Sequence, residues 1–118
     1  MRHKKHTEHS LQSACIEWFR LQYPKYALNL FAIPNGAKRT AINGKYYVKE
    51  GLTKGVADCF LAVASDELHG IFIEFKSERG TQTDAQKEFQ FAVMKTDYAY
   101  WVVRDIDNFM SAINNYLR

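Results

Sequence analysis

The chain has 118 residues, of which 47% are hydrophobic and 14% aromatic, and a formal net charge of +3 at pH 7. This length supplies one hydrophobic core rather than two, and the apolar content excludes an intrinsically disordered chain. No apolar run approaches the roughly 20 residues of a transmembrane helix, and the charged start does not lead into a signal-like core. We therefore expect a folded cytoplasmic domain without membrane association.

The first predicted element is a helix from Glu8 to Gln22, preceded by a flexible basic tail over residues 1–7. Apolar residues recur at helical spacing and form one arc of Leu11, Ala14, Cys15, Trp18 and Leu21, which Phe19 extends. Glu8 lies at the edge of that arc and is expected to face the interior, whereas Glu17 is expected to face water. An acid in a first helical turn also complements the helix dipole, which would explain Glu8 without any chemistry.

Pro24 ends this helix, and the next predicted element is a strand over Ala27–Ile33, followed by a turn at Pro34-Asn35-Gly36. A basic segment then extends from Lys38 to Lys54 and includes two tyrosines. Basic residues interleaved with aromatic ones suit a phosphate backbone and an unstacked base, although a solvated face has the same composition. Within it we favour a short helix ending at Gly51 over a hairpin at Asn43-Gly44.

Two strands follow, Cys59–Ala64 and Ile71–Lys76, and the turn between them predicts a hairpin. The two-residue period of a strand puts Glu74 and Lys76 on one face, and Asp58 stands at the entrance of the first strand. A carboxylate in such apolar surroundings is costly unless it is paired or bound to a cation. Two carboxylates and an ammonium can hold a divalent ion beside a phosphodiester, while a solvated charge pair on an edge strand is the alternative.

The remaining elements are a helix, a strand over Tyr98–Val103 and a last helix capped by Asp105. Thr83 to Gln86 matches a capping box, which explains Gln86 by structure alone. The apolar residues of the first of these helices predict its buried stripe: Ala85, Phe89, Ala92 and Val93. The whole order, α-β-(α)-β-β-α-β-α, predicts an α/β fold with a mixed sheet flanked by helices. Cys15 and Cys59 lack metal-like spacing and are expected to be buried free thiols.

Taken in order, these motifs resemble the virus-type replication-repair nuclease (VRR-NUC) domain of the PD-(D/E)xK nuclease superfamily. The resemblance covers residues 8–118 and rests on Glu8, Pro34–Arg39, Gly55–Asp58, Ile73–Lys76 and Thr83–Gln86. It implies a restriction-endonuclease-like core. The proline that usually precedes the aspartate is replaced by Ala57, which removes rigidity but no ligand.

The resemblance also implies roles for individual residues. The catalytic residues would be Asp58, Glu74, Lys76 and Gln86. Mg²⁺ or Mn²⁺ would be held by Glu8, Asp58, Glu74 and the backbone carbonyl of Phe75. The DNA backbone would be held by Lys38, Arg39, Lys45 and Lys54.

The function implied is a metal-dependent, structure-selective DNA endonuclease that acts on branched DNA such as Holliday junctions. Stand-alone viral members of the family are small homodimers, which implies a homodimer, a phage origin and a place in DNA repair in the host cytoplasm. Two alternatives remain at this point: a DNA-binding module without catalysis, and a nuclease subunit that requires a partner protein.

Overall fold

A computed structural model describes residues 7–34 and 49–118 of the chain. Its elements are, in chain order, helix α1 (Glu8–Gln22), a 3-10 helix (Pro24–Asn29), strands β1 (Leu30–Ala32), β2 (Cys59–Leu61) and β3 (Ile71–Phe75), helix α2 (Asp84–Met94), strand β4 (Ala99–Val103) and helix α3 (Ile106–Leu117). None of the helices in these two ranges has the length and apolarity needed to cross a lipid bilayer.

The four strands form one mixed sheet in the order β1-β2-β3-β4. β2 pairs antiparallel with both β1 and β3, as the predicted hairpin requires, whereas β3 and β4 are parallel. Parallel pairing is possible because α2 crosses over between β3 and β4. The predicted α/β class with a mixed sheet is therefore confirmed.

The hydrophobic core lies on the sheet face that packs against α1 and α3. In β3 the residues of one parity, Ile71, Ile73 and Phe75, are fully buried on this face. The other parity faces α2, where the ring of Phe72 meets that of Phe89 edge-on at 5.1 Å. Glu74 shares the parity of Phe72, so the sheet places it on the α2 side.

Both cysteines are buried free thiols, as predicted. Burial raises the pKa of Cys15 and of Cys59 to about 12. Neither thiol is therefore ionised at neutral pH, which argues against cysteine nucleophile chemistry.

Helix α1 has the predicted bounds because its first turn is capped. The Thr7 hydroxyl accepts a hydrogen bond from Ser10 N at 2.9 Å, and Pro24 lies just beyond the last turn. The predicted strand at Ala27–Ile33 is wrong in its first half, since residues up to Asn29 form the 3-10 helix. Proline favours a first helical turn, and ladder pairing with β2 begins only at Leu30.

The side chains of the helices are less buried than the periodicity predicted. Ala14 and Leu21 of α1 and Ala92 of α2 are exposed, and α2 has no fully buried residue. Helix α2 covers its face of the sheet with half-buried side chains, because it is amphipathic and has only the sheet on its inner side.

The predicted turn at Pro34-Asn35-Gly36, from Asn35 onward, and most of the predicted helix before Gly51 lie outside the described residues. At the end of that segment Lys49 is helical, and Gly51 has a φ of 103°. A positive φ at the residue position that ends a helix is typical of glycine.

Candidate active site

Asp58 and Glu74 come together because β2 and β3 are antiparallel neighbours. The register pairs Cys59 with Ile73, so the residues just outside that pair are adjacent. Phe75 N donates a hydrogen bond of 2.7 Å to Asp58 Oδ2, and Ile33 N donates one of the same length to the Asp58 carbonyl. The Asp58 side chain and backbone are thus both held in place by the sheet.

Glu74 is fully buried, and its two carboxylate oxygens have different surroundings. Oε1 accepts hydrogen bonds from the Tyr100 hydroxyl and, at 3.1 Å, from Gln82 Nε2. Within the described part of the chain Oε2 has no hydrogen-bond partner, and it lies 3.7 Å from the Lys76 ammonium. A buried carboxylate oxygen without a donor is costly, and a cation bound to Oε2 would offset this cost.

Lys76 belongs to this buried site and not to the solvated surface. Its side chain is only 10% exposed, and its backbone N donates to the Val103 carbonyl at 3.0 Å, beyond the last strand pair. The sequence predicted that the lysine would share a face with Glu74, and the ion pair between the two shows that it does.

The surroundings of Asp58 oppose its ionisation. Burial is the largest cause and raises the pKa of Asp58, and the negative charges of Glu74 and Glu8 raise it further. The hydrogen bond from Phe75 N and the charge of Lys76 lower this pKa only in part. A cation between the carboxylates would relieve this repulsion.

Glu8 does not face the interior as predicted, because it is exposed in the first turn of α1. The buried residues of this helix, Cys15 and Phe19, lie two and three turns later. The charge of Glu8 still acts on Asp58. Across residues 7–34 and 49–118, no group of three or more acidic, histidine or cysteine side chains is arranged to hold a metal ion, so Glu8 as a ligand stays a prediction.

The side chain of Gln86 is part of the N-terminal cap of α2. Its side-chain oxygen accepts from Thr83 N at 2.8 Å, and Thr83 Oγ1 accepts from Gln86 N at 3.1 Å. The capping box is therefore confirmed, while the catalytic role implied for Gln86 stays a prediction.

Three residues of the site were missed in the sequence: Tyr100, Gln82 and Gln90. Gln82 Nε2 donates both to Glu74 and, at 2.8 Å, to Gln90 Oε1. Burial and the adjacent Glu74 raise the pKa of Tyr100 well above its ordinary value, so its hydroxyl keeps its proton. Tyr100 pairs with Phe72 in the parallel register of β3 and β4 and so lies on the face of Glu74; the sequence alone does not give this register.

Arg104 fixes the loop between Lys76 and Gln82. Its Nη1 donates to the carbonyls of Ser77 and Gly80 at 2.8 and 2.6 Å. The loop that carries Gln82 to the site is therefore tied to the end of β4.

Of the four residues implied in DNA binding, Lys38, Arg39 and Lys45 lie outside the described residues. Lys54 is exposed and borders an open cavity of about 570 Å³ at the N-terminus of α2, together with Thr83 and Gln86. Its charge is thus accessible to a polyanion at the N-terminus of α2.

No protein-family model matches the chain, and the search of curated proteins gives no match. The chain is similar to a solved structure named VRR_NUC domain protein, with a TM-score of 0.83 and 26% sequence identity. The alignment covers 98% of this chain and 91% of that one. The similarity therefore concerns the complete fold and not a single motif.

Proposed function

The chain has a VRR-NUC domain, and we propose that it is a metal-dependent nuclease that hydrolyses phosphodiester bonds in DNA. The observation that carries the proposal is Glu74 Oε2, a fully buried carboxylate oxygen to which residues 7–34 and 49–118 supply no hydrogen-bond donor. It lies beside the ammonium of Lys76, on the strand next to Asp58. The nuclease class itself is supported by the similarity of the whole fold.

The residues of the site fit a hard divalent cation such as Mg²⁺ or Mn²⁺. Asp58 and Glu74 offer carboxylate oxygens from adjacent strands, and such cations prefer oxygen ligands. The further predicted ligands are Glu8 and the carbonyl of Phe75. When bound, the ion would supply an activated water and Lewis-acid stabilisation of the phosphoryl oxygens.

The protein's own groups would orient the substrate and stabilise charge. Lys76 is nearly buried, so its ammonium acts in surroundings of low polarity, where it stabilises the nucleophile or a phosphoryl oxygen strongly. The hydrogen bond from Phe75 N holds Asp58 in one orientation. In this proposal Gln86 lies near the reacting phosphate, as the resemblance implies.

We propose DNA, and branched DNA in particular, as the substrate. Lys54 is exposed at the cavity beside the N-terminus of α2, and the basic segment from Lys38 onward would add contacts to the phosphate backbone. Such contacts are independent of sequence, which suits selection by DNA structure. The proposal includes a homodimer acting in the cytoplasm, or the host cytoplasm for a phage-encoded chain.

The test is nicking of a labelled four-way junction in the presence of Mg²⁺ or Mn²⁺, beside flapped and linear duplexes of the same sequence. Lys76→Ala should lower the cleavage rate by about 100-fold or more, because one preorganised charge stabiliser is removed. Lys25→Ala, which removes an exposed lysine on the 3-10 helix, is the matched control. Equal cutting by wild type and Lys76→Ala would remove the lysine from the mechanism.

A second candidate is a DNA-binding module without catalysis. The ion pair between Lys76 and Glu74 favours it, because such a pair can serve a structural role alone. Calorimetry with Mn²⁺ separates the two candidates. A nuclease site binds the ion and loses it on Asp58→Asn, whereas a binding module shows neither effect; a subunit that requires a partner protein would bind the ion but cut nothing alone.

A further inference from the structure

We propose that Tyr100 and Gln82 are positioning residues that orient the Glu74 carboxylate, so that Oε2 and not Oε1 is presented to the cation. This inference rests on the proposed function, since it concerns the ion that the nuclease site would bind. It assigns a role to two residues that neither the sequence motifs nor the fold similarity singles out.

The first observation is that donors from two different elements converge on the same oxygen. The Tyr100 hydroxyl comes from β4 and Gln82 Nε2 from the loop after β3, and both donate to Glu74 Oε1. Tyr100 is only 8% exposed, so its hydroxyl has little access to water. Rotation of the carboxylate would break both hydrogen bonds at once, which selects one orientation.

The second observation is that the amide of Gln82 is itself held. Gln90 Oε1, from α2, accepts a hydrogen bond of 2.8 Å from the same nitrogen that donates to Glu74. Because an amide nitrogen has two hydrogens, Gln82 can satisfy both partners simultaneously. The orientation of Glu74 is therefore tied to the sheet and to α2.

The third observation is the asymmetry between the two oxygens. A network that served only to bury Glu74 would be expected to supply donors to both oxygens, since each unsatisfied one is costly. Here Oε1 has two donors, while Oε2 has none among the residues that the structure describes and lies 3.7 Å from the ammonium of Lys76. Outer hydrogen bonds to a carboxylate whose other oxygen is open are typical of metal ligands.

The experiment measures Mn²⁺ binding to the full chain by calorimetry, without DNA. Tyr100→Phe removes only the hydroxyl and should weaken Mn²⁺ binding by about 10- to 100-fold, as loss of an outer partner of a metal ligand does. Gln82→Met keeps the length of the side chain but removes its donors, and should weaken binding in the same direction.

Tyr116→Phe is the matched control. It also removes one hydroxyl from a partly buried tyrosine, which donates to the Val63 carbonyl at 2.6 Å, and it should leave Mn²⁺ binding unchanged. Circular dichroism and urea denaturation of each variant establish that it is folded.

Cleavage assays over a range of Mn²⁺ concentrations add a second readout. Positioning residues should mainly raise the Mn²⁺ concentration needed for half-maximal rate, so that excess ion restores much of the rate in Tyr100→Phe. Excess Mn²⁺ should not restore the cleavage rate of Glu74→Gln, because this variant changes the carboxylate itself.

If the Mn²⁺ affinity of Tyr100→Phe lies within two-fold of the Mn²⁺ affinity of Tyr116→Phe, the inference is overturned, because the Tyr100 hydroxyl would then have only a structural role. The nuclease proposal would remain intact. If neither the wild type nor Glu74→Gln takes up Mn²⁺, the metal-dependent nuclease and this inference both fail. The wild-type titration therefore distinguishes the two failures.

Discussion

Gly55 lies three residues before Asp58, and a methyl group added at Gly55 should destabilise the fold. It has a φ of 87°, which L side chains rarely adopt. A Cβ atom there would lie 2.4 Å from both the carbonyl carbon and the carbonyl oxygen of Ala85, in the first turn of α2. The segment that leads to Asp58 can pack against α2 only because this residue is glycine.

The cost of Gly55→Ala has two parts. A left-handed backbone conformation costs a residue other than glycine about 1–2 kcal/mol, and forcing extra volume into a packed contact costs about 1–3 kcal/mol. The clash involves backbone atoms of Ala85, which cannot rotate away as a flexible side chain can. We therefore expect the free energy of unfolding to fall by roughly 2–5 kcal/mol, a large part of the 5–15 kcal/mol of a typical domain.

Urea denaturation followed by circular dichroism measures this loss, and Gly51→Ala is the control. Gly51 has a φ of 103°, yet a Cβ atom on it would meet nothing within 4 Å among the described residues. Gly51→Ala should therefore show the backbone cost alone, about 1–2 kcal/mol. If Gly55→Ala costs no more than Gly51→Ala, the close approach to α2 contributes nothing and the reasoning is wrong.

Three further variants test other parts of the structure. Asp58→Asn can keep the hydrogen bond from Phe75 N, but it removes the carboxylate. Because the pKa of Asp58 is raised, the folded state binds the proton of this carboxylate more tightly than the unfolded state does. The wild type therefore loses stability as the pH rises from about 3.8 through that raised pKa. In urea denaturation Asp58→Asn should be at least as stable as the wild type at pH 7 and should lose this advantage below pH 4. The variant should also fail to bind Mn²⁺. Arg104→Ala removes the donor to three loop carbonyls. It should lower the free energy of unfolding by about 1 kcal/mol and speed hydrogen exchange at the Gly80 amide. Unchanged exchange would show that the loop is ordered without Arg104. Phe109→Ala empties a fully buried site in α3 and should cost about 3–5 kcal/mol in the same denaturation assay; a loss below 1 kcal/mol would contradict its place in the core.

The parts of the fold that follow from local rules were predictable from the sequence. The bounds of α1 depend on a cap at its start and a proline at its end, and both are visible in the chain. The capping box of α2 requires only Thr83 and Gln86 at the right spacing. Likewise, the alternation in β3 puts Glu74 and Lys76 on one face whichever strand lies beside it.

The parts that depend on tertiary pairing were not predictable in the same way. The strand β1 is short because its length is set by its pairing with β2, and not by the apolar residues from Ala27 onward. The surroundings of Glu74 depend on Tyr100, which is 26 residues away in the chain. Only the parallel register of β3 and β4 brings Tyr100 and Glu74 together, and no local sequence pattern predicts that register.

The alanine at position 57 shows how the sheet replaces a missing local constraint. A proline usually precedes the aspartate in the family that this sequence resembles, and its ring would restrict the backbone. Ala57 has no such ring, but it is 1% exposed, and the next residue is held by two hydrogen bonds of 2.7 Å, from Ile33 N to its carbonyl and from Phe75 N to its side chain. One bond comes from the residue that follows β1 and the other from the last residue of β3, so Asp58, which directly precedes β2, is held from both sides. Rigidity at this carboxylate is therefore a property of the assembled sheet, and a change that weakens the pairing of β1 should disturb the site even though no site residue is altered.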